Sequence, residues 1–186
     1  MLSPDTCLLY LLRHGATVNN TANPPILQGC KSNPPLSEPG LAQAEAAARL
    51  LSRCQVNAVY CTPLLRSRQT AEPIAAAHAL SVEAIPELAE CDVGLWEGRS
   101  WIEIEQREPD AYRRFMADPA AHGYGGGENL FQVSARVEPV IERLLSLSLG
   151  KGLVIVAHNV VNPCTWPRGW AFRWLDRAKS CRTTAA

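Results

Sequence analysis

Hydrophobic positions along the chain form two kinds of segment: short continuous runs and longer stretches with helical spacing. Short apolar runs are typical of strands that are covered on both faces. Apolar residues three or four apart indicate helices with one buried side. The predicted strands are residues 8–12, 56–61, 81–85 and 153–157, and the predicted helices are 37–51, 64–80, 103–116 and 129–147.

Prolines mark where these predicted elements end or are interrupted. Four prolines between residues 24 and 35 place a loop between the first strand and the first helix. Pro73 falls inside the helix 64–80 and is expected to interrupt it, because proline lacks an N–H and clashes with the preceding turn.

The alternation of strands and helices predicts an α/β domain with a mostly parallel sheet. In such sheets, ligands bind beyond the carboxyl ends of the strands. His14 and His158 each lie just past a predicted strand end, as does the segment 62–70. We therefore expect three separate segments to converge on one crevice.

Composition narrows the possible partners. The chain has 186 residues, of which 47% are apolar and 19% are charged, as expected for one globular domain. Basic and acidic residues number 18 each, so no overall charge favours nucleic acid or an acidic membrane surface. No apolar run reaches membrane-spanning length. Neither nucleic acid nor a membrane is expected as a partner.

The seven cysteines are irregularly spaced and include no C-x-x-C pair. This pattern favours reduced thiols in a cytoplasmic protein, and it gives no sign of a structural zinc site. No metal or cofactor is expected.

The first candidate site follows the first strand. Arg13 places a fixed positive charge beside the imidazole of His14, Gly15 allows close backbone approach, and Thr17 and Asn20 add donors. This combination suits a phosphate group. The alternative is an Arg-His pair that merely ends a strand.

Three further segments carry polar groups of matching chemistry. Arg66 and Arg68 follow the second strand, and arginine binds phosphate oxygens through two N–H groups; one of the two is expected to be a solvated helix residue. Glu90 lies in an acidic loop, where burial and a nearby anion would raise its pKa and let it hold a proton; a surface acid is the alternative. His158 ends the last strand.

Together these segments resemble the histidine phosphatase (phosphoglycerate-mutase-like) superfamily, branch 1. The order is Arg-His-Gly-x-Thr, then Pro-Leu-x-Arg-x-x-Gln-Thr-Ala, then Leu-x-Glu-x-x-x-Gly-x-x-Glu-Gly, then a strand that ends in Ala-His. Intermediate motifs at 27–29, 35–37 and 126–128 also match. The resemblance covers about residues 8–162, and four motifs in the same order make coincidence improbable.

The resemblance implies a three-layer α/β/α sandwich and a set of roles. His14 would accept the phosphoryl group, and Arg13, Arg66 and His158 would surround it. Glu90 would protonate the leaving oxygen and then help to activate water. The remaining implied pocket residues are Thr17, Asn20, Gln28, Gly29 and Asn159, the last through its backbone N–H.

The resemblance leaves the activity open among three hypotheses. The first is a metal-independent phosphatase that acts on a small phosphorylated metabolite of the sugar phosphate or phosphoglycerate type. The second is a phosphoglycerate mutase, which is less favoured because that branch carries longer insertions near the site. The third is a truncated, non-catalytic relative. A homodimer would be usual for the family, and the pocket walls are expected between residues 96 and 128.

The last residues depart from the family pattern. Pro167 and Gly169 oppose the helix that the family places after the last histidine. Residues 163–186 also hold three of the five tryptophans and five basic residues against one acid. We therefore divide the chain into a domain at 1–162 and an atypical tail at 163–186. The hypothesis is that the tail is out of frame or foreign to the fold; the alternative is a Trp/Arg-rich binding tail, and re-sequencing the coding DNA would separate the two.

Overall fold

Strand β4 (Gly152–Ala157) is the centre of the sheet. The computed structural model describes residues 3–164. All six residues of β4 are buried, as its uninterrupted apolar sequence requires. It pairs in parallel with β1 (Leu8–Arg13) on one side and with β2 (Ala58–Cys61) on the other, and β3 (Val82–Ala84) pairs with β2. The described sheet has the order β1-β4-β2-β3 and is parallel throughout.

Helices connect these strands, and polar side chains cap several of them. Ser37 accepts a hydrogen bond from the N–H of Gly40 at 3.3 Å, and Asn129 accepts one from Gln132 at 2.9 Å. The helices are α1 (Val18–Thr21), α2 (Glu38–Leu51), α3 (Leu65–Ala76), α4 (Trp101–Arg107), α5 (Pro109–Ala117), α6 (Leu130–Ser146) and α7 (Val161–Cys164), with 3₁₀ turns at Pro86–Leu88 and Gly94–Trp96.

Alternate residues of β4 face two separate cores. Val154 and Val156 pack in one core with apolar residues of α2 and α3. Leu153 and Ile155 pack in the other with apolar residues of α6. Helices therefore cover both faces of the sheet, and the prediction of a three-layer α/β/α sandwich with a parallel sheet is confirmed.

Three details differ from the expectations. Helix α3 runs through Pro73 without interruption, since the next residues, Ile74 and Ala75, are buried in the core and favour its continuation. The predicted helix 103–116 is two helices, because Glu108, directly before Pro109, leaves the helical conformation with φ −136° and ψ 55°. Strand β1 is only partly buried, although its apolar run predicted coverage on both faces.

The described residues end just after the predicted tail begins. Pro163 and Cys164 belong to α7, and residues 165–186 lie outside the described residues, so the hypothesis about the tail stays a prediction. Among the helices of residues 3–164, none has both the length and the apolar character needed to cross a membrane.

Candidate active site

The carboxyl ends of β1, β4 and β2 bring three polar segments together. Arg13 pairs with Ala157 in the sheet register, so the residues that follow them, His14 and His158, lie side by side. Their ring centroids are 5.1 Å apart. The His14 N–H continues the ladder by donating to the carbonyl of Ala157 at 3.1 Å. The predicted convergence at this edge of the sheet is therefore present in the structure.

His14 is buried and held in one orientation. Its Nδ1 lies 2.7 Å from the carbonyl oxygen of Gly15. Because a carbonyl can only accept, Nδ1 carries the proton and Nε2 keeps its lone pair. Burial, opposed by the hydrogen bond to Gly15 and aided by the charges of Arg66 and Arg13, lowers the pKa of His14 to about 4. At neutral pH the imidazole is therefore uncharged and nucleophilic at Nε2.

Gly15 is required by a close approach to the first turn of α2. A Cβ on Gly15 would lie 2.5 Å from the carbonyl oxygen of Gly40. The Gly15 N–H donates to Thr70 Oγ1 at 3.0 Å, which attaches the loop to α3. Any side chain at this position would push the loop, and His14 with it, away from the helix.

Arg66 is fully buried and uses each of its nitrogens. Nε donates to His14 Nε2 at 3.2 Å, Nη1 to the carbonyl of Ser32 at 3.0 Å and Nη2 to the carbonyl of Gly29 at 2.8 Å. Burial lowers its pKa to about 10, against the opposing charges of Glu90 and Glu97, so it remains a cation at neutral pH. Arg68, two residues later, is exposed.

Gly29 contributes through its backbone. Its carbonyl binds Arg66, and its N–H donates to Glu97 Oε1 at 2.8 Å. A Cβ here would lie 2.6 Å from the carbonyl oxygen of Cys91, so only glycine fits between these groups. The loop at 29–32 therefore holds the guanidinium in place.

Thr17, Asn20 and Gln28 form a connected polar group beside α1. The fully buried Thr17 hydroxyl lies 2.9 Å from Gln28 Oε1 and 3.1 Å from Asn20 Oδ1. The Thr17 N–H also donates to Asn20 Oδ1 at 3.0 Å. These contacts use the amide oxygens and leave N–H groups as donors.

Arg13 is exposed, and its positive charge lowers the pKa of both His14 and His158.

Glu90 is buried against the start of α7. Its Oε1 accepts from the Cys91 N–H at 2.9 Å and its Oε2 from the Asn159 N–H at 3.1 Å. Burial raises the pKa of Glu90 and outweighs these N–H groups and the charge of Arg66, which lower it. The carboxyl therefore retains a proton more readily than a surface acid. The Asn159 N–H, which the resemblance assigns to phosphate, is engaged by Glu90 here.

Arg136 of α6 holds the Glu90 loop and was not singled out by the sequence. Its guanidinium donates to the carbonyls of Glu87 and of Ala89, the latter at 2.9 Å, and forms an ion pair with Glu128 at 2.8 Å. Glu128 in turn accepts from the Asp92 N–H at 2.8 Å. No local signal identifies Arg136, which occupies an ordinary polar position of a helical pattern. Glu128 lies in a motif that the sequence did show.

His158 is fully buried at the end of β4. Its Nε2 lies 2.9 Å from Thr62 Oγ1, and its Nδ1 has no hydrogen-bond partner among the described residues. Burial, with the charges of Arg66 and His14, holds its pKa well below the usual value. His14, Arg66, Glu90 and His158 are hereafter called the histidine pocket.

Five rings form an aromatic cluster beside this pocket, inside the region where pocket walls were expected. Trp101 stacks on Phe115 with 5.6 Å between centroids. Burial raises the pKa of Tyr124, and the charges of Cys91 and Glu90 add to the effect. Tyr124 packs in the same core as Cys91, the residue after Glu90. The members of the aromatic cluster are Trp96, Trp101, Tyr112, Phe115 and Tyr124.

Comparison with known proteins identifies the family. The family model of the histidine phosphatase superfamily (branch 1) matches residues 9–168. The chain belongs to this family, and the resemblance stated from the sequence is confirmed.

Relatives with named functions cover much of the chain. Phosphoserine phosphatase 1 of Hydrogenobacter thermophilus is 34% identical over 69% of this chain and 61% of its own length. The adenosylcobalamin/alpha-ribazole phosphatase of Salmonella typhimurium is 31% identical over 82% of this chain and 74% of its own length. The chain thus spans less than two thirds of the first of these relatives.

Solved structures show the same fold. The alpha-ribazole phosphatase from Shigella flexneri superposes with a TM-score of 0.74 at 32% identity, covering 83% of this chain and 75% of its own. The mycobacterial glucosyl-3-phosphoglycerate phosphatase Rv2419c, solved with VO3, gives a TM-score of 0.76 at 29% identity, covering 83% and 76%.

Proposed function

We propose that this chain is a metal-independent phosphatase that hydrolyses a small phosphorylated metabolite through a phosphohistidine on His14. The observation that carries the proposal is the state of His14. Its Nδ1 is fixed by the Gly15 carbonyl, and its unprotonated Nε2 lies 3.2 Å from the Arg66 guanidinium. An unprotonated ring nitrogen held beside a buried cation suits attack on a phosphate ester.

The first step transfers the phosphoryl group to the protein. The Nε2 lone pair attacks phosphorus, and the bond from phosphorus to the ester oxygen breaks. Glu90, whose pKa is raised by burial, gives its proton to the leaving oxygen. Because the attack consumes the Nε2 lone pair, the Arg66 Nε–H is released from His14 and can bind a phosphoryl oxygen.

The second step returns His14 to its starting state. The Glu90 carboxylate takes a proton from water, the water oxygen attacks phosphorus, and the bond from phosphorus to Nε2 breaks. Arg66 has five N–H groups, of which three are used by His14, Ser32 and Gly29. The two unused N–H groups, joined by the Nε–H once His14 Nε2 is phosphorylated, stabilise negative charge on the transferring phosphoryl group.

The substrate class is supported by the relatives rather than by a bound molecule. Phosphatases named for phosphoserine, alpha-ribazole and glucosyl-3-phosphoglycerate share the family. Each of these proteins is named a phosphatase, which supports hydrolysis, whereas a relative from Serratia proteamaculans named a probable phosphoglycerate mutase keeps the mutase as the second hypothesis. A mutase would instead need a bisphosphorylated primer to phosphorylate His14.

The cellular setting is part of the proposal. The six cysteines of residues 3–164 are free thiols, which fits a reducing cytoplasm. A homodimer remains a prediction that gel filtration with light scattering can test.

Hydrolysis of p-nitrophenyl phosphate in EDTA tests the mechanism. We expect turnover and an acid-labile phosphoenzyme from the wild type, and neither from His14→Ala. His122→Ala, which changes an exposed histidine, should behave as the wild type. Turnover that survives in His14→Ala would refute the proposal. Absence of both signals from folded wild-type protein would favour the non-catalytic relative, and a requirement for a bisphosphorylated primer would favour the mutase.

A further inference from the structure

One nitrogen of the buried His158 has no acceptor. The side chain is fully buried, and its Nδ1 is without a hydrogen-bond partner among residues 3–164. A buried polar atom that stays unpaired is unfavourable, and such atoms are rare in folded proteins. The position of His158 beside His14, with 5.1 Å between ring centroids, suggests that this atom has a partner only during the reaction.

The proton on His158 must occupy one of two ring nitrogens. Burial, together with the positive charges of Arg66, Arg13 and Arg136 and with His14, keeps its pKa well below the usual value. The ring is therefore neutral at pH 7 and carries a single proton. Its choice of nitrogen decides whether Nδ1 offers a donor or a lone pair to its surroundings.

The hydrogen bonds of Thr62 determine which ring nitrogen of His158 carries the proton. Its hydroxyl is fully buried, with Oγ1 3.3 Å from the Leu64 N–H and 2.9 Å from His158 Nε2. The Leu64 N–H can only donate, so it occupies one lone pair of Oγ1. Among residues 3–164, His158 Nε2 is the one acceptor within hydrogen-bond distance of the Thr62 hydroxyl, so the hydroxyl proton is assigned to this contact. Nε2 must present its lone pair, and the ring proton lies on Nδ1.

The backbone of Thr62 is fixed to the strand that carries His158. The Thr62 N–H donates to Ser67 Oγ at 3.0 Å, and the Ser67 hydroxyl donates to the carbonyl of Val156 in β4 at 2.7 Å. The hydroxyl and the imidazole therefore keep their mutual orientation. The opposite tautomer would leave the Thr62 hydroxyl proton with no acceptor in the described part of the chain.

We propose that Thr62 is a positioning residue that fixes His158 as its Nδ1–H tautomer, so that this N–H donates to the phosphoryl group on its way to His14. The second half of the statement rests on the proposed phosphatase function, whereas the first half concerns the free protein alone. A lone pair at the same place would repel the phosphoryl oxygens.

Nitrogen-15 NMR of histidine-labelled protein tests the tautomer directly. The chain has four histidines, so the signals that are lost in a His158→Asn variant belong to His158. We expect Nδ1 of His158 to be protonated and Nε2 unprotonated in the wild type and in Thr62→Ser. In Thr62→Val, which keeps the shape but lacks the hydroxyl, the proton should shift towards Nε2. An unchanged signal from His78, whose Nε2 lies 3.1 Å from the carbonyl oxygen of Leu51, shows that this variant is folded.

Inorganic vanadate, a phosphoryl mimic, gives a second readout. We expect Thr62→Val to bind it about 10–100-fold more weakly, by analogy with other residues that orient a ligating histidine, and Thr62→Ser to bind as the wild type. An Nε2–H tautomer in the wild type, or a tautomer unaffected by Thr62→Val, would overturn the inference. If the tautomer behaves as expected but no phosphohistidine forms, the proposed function fails and the role of Thr62 in the free protein stands.

Discussion

The histidine pocket and the aromatic cluster lie side by side, but different forces fix their side chains. In the histidine pocket, directional hydrogen bonds orient the side chains: His14 through one carbonyl, Arg66 through two carbonyls and Glu90 through three N–H groups. In the aromatic cluster, rings pack against each other at interplanar angles from 24° to 83°. The first arrangement requires particular residue types, whereas the second tolerates many combinations of rings.

The largest effect should come from the proton on Glu90. We expect Glu90→Gln to lower kcat by about 10²–10⁴-fold for an alkyl phosphate, whose leaving oxygen needs a proton, and by much less for p-nitrophenyl phosphate. Because the pKa of Glu90 is raised, wild-type activity on the alkyl ester should fall as rising pH removes its proton. The variant should lack this fall in a pH–rate profile.

Glu87→Gln is the matched control, since Glu87 is exposed in the same loop. The amide introduced by Glu90→Gln would also set an NH₂ group against a backbone N–H, so we expect a lower Tm for that variant. A folding defect alone would reduce both substrates equally. Equal losses for the two esters would therefore contradict the role of Glu90 as the acid.

A smaller loss of kcat/KM should follow from replacing the guanidinium group of Arg66. We expect Arg66→Lys to lower kcat/KM by about 10²–10³-fold, because lysine keeps the charge but cannot contact His14, Ser32 and Gly29 at once. Arg68→Lys, at an exposed position of the same helix, should leave kcat/KM unchanged. Near wild-type activity in Arg66→Lys would show that charge alone suffices.

The smallest effect should come from the aromatic cluster. We expect Trp101→Ala to raise KM for an aryl phosphate roughly two- to tenfold, about the worth of one ring contact, with little change in kcat. Ile102→Ala is the control, because Ile102 is the next residue of α4 and is 53% exposed. Steady-state kinetics with an aryl and an alkyl ester gives the measurement. An unchanged ratio of the two KM values would mean that the cluster serves only as core.

The histidine pocket could be predicted because its chemistry follows from residue type and strand position. His14 and His158 directly follow parallel strands that pair in register, and Arg66 lies in the first turn of the helix after the neighbouring strand. These features are local in the sequence, and parallel pairing brings them together. The layers of the sandwich could be predicted for the same reason, from continuous and periodic apolar positions.

The residues that escaped prediction act over long separations or through the backbone. Arg136 holds carbonyls that lie 47 and 49 positions earlier, which no spacing rule shows. The hydrogen bond from the Asn159 N–H to Glu90 was not predicted, since the identity of a side chain does not show what its backbone N–H contacts, and the role of Asn159 in phosphate binding stays a prediction. The break at Glu108 escaped because both sides of it keep helical spacing, and Pro109 is well suited to a helix start.

The strand order determines when the protein can assemble. The central strand β4 separates β1 from β2, yet it is the last of the four in the chain. During synthesis, β1 has no described neighbour to pair with until residues 152–157 have left the ribosome. Folding that depends on such distant pairing is slow and cooperative. Catalytic competence should therefore emerge in a single late event, and nascent chains that end before Gly152 should contain neither a continuous sheet nor an active centre.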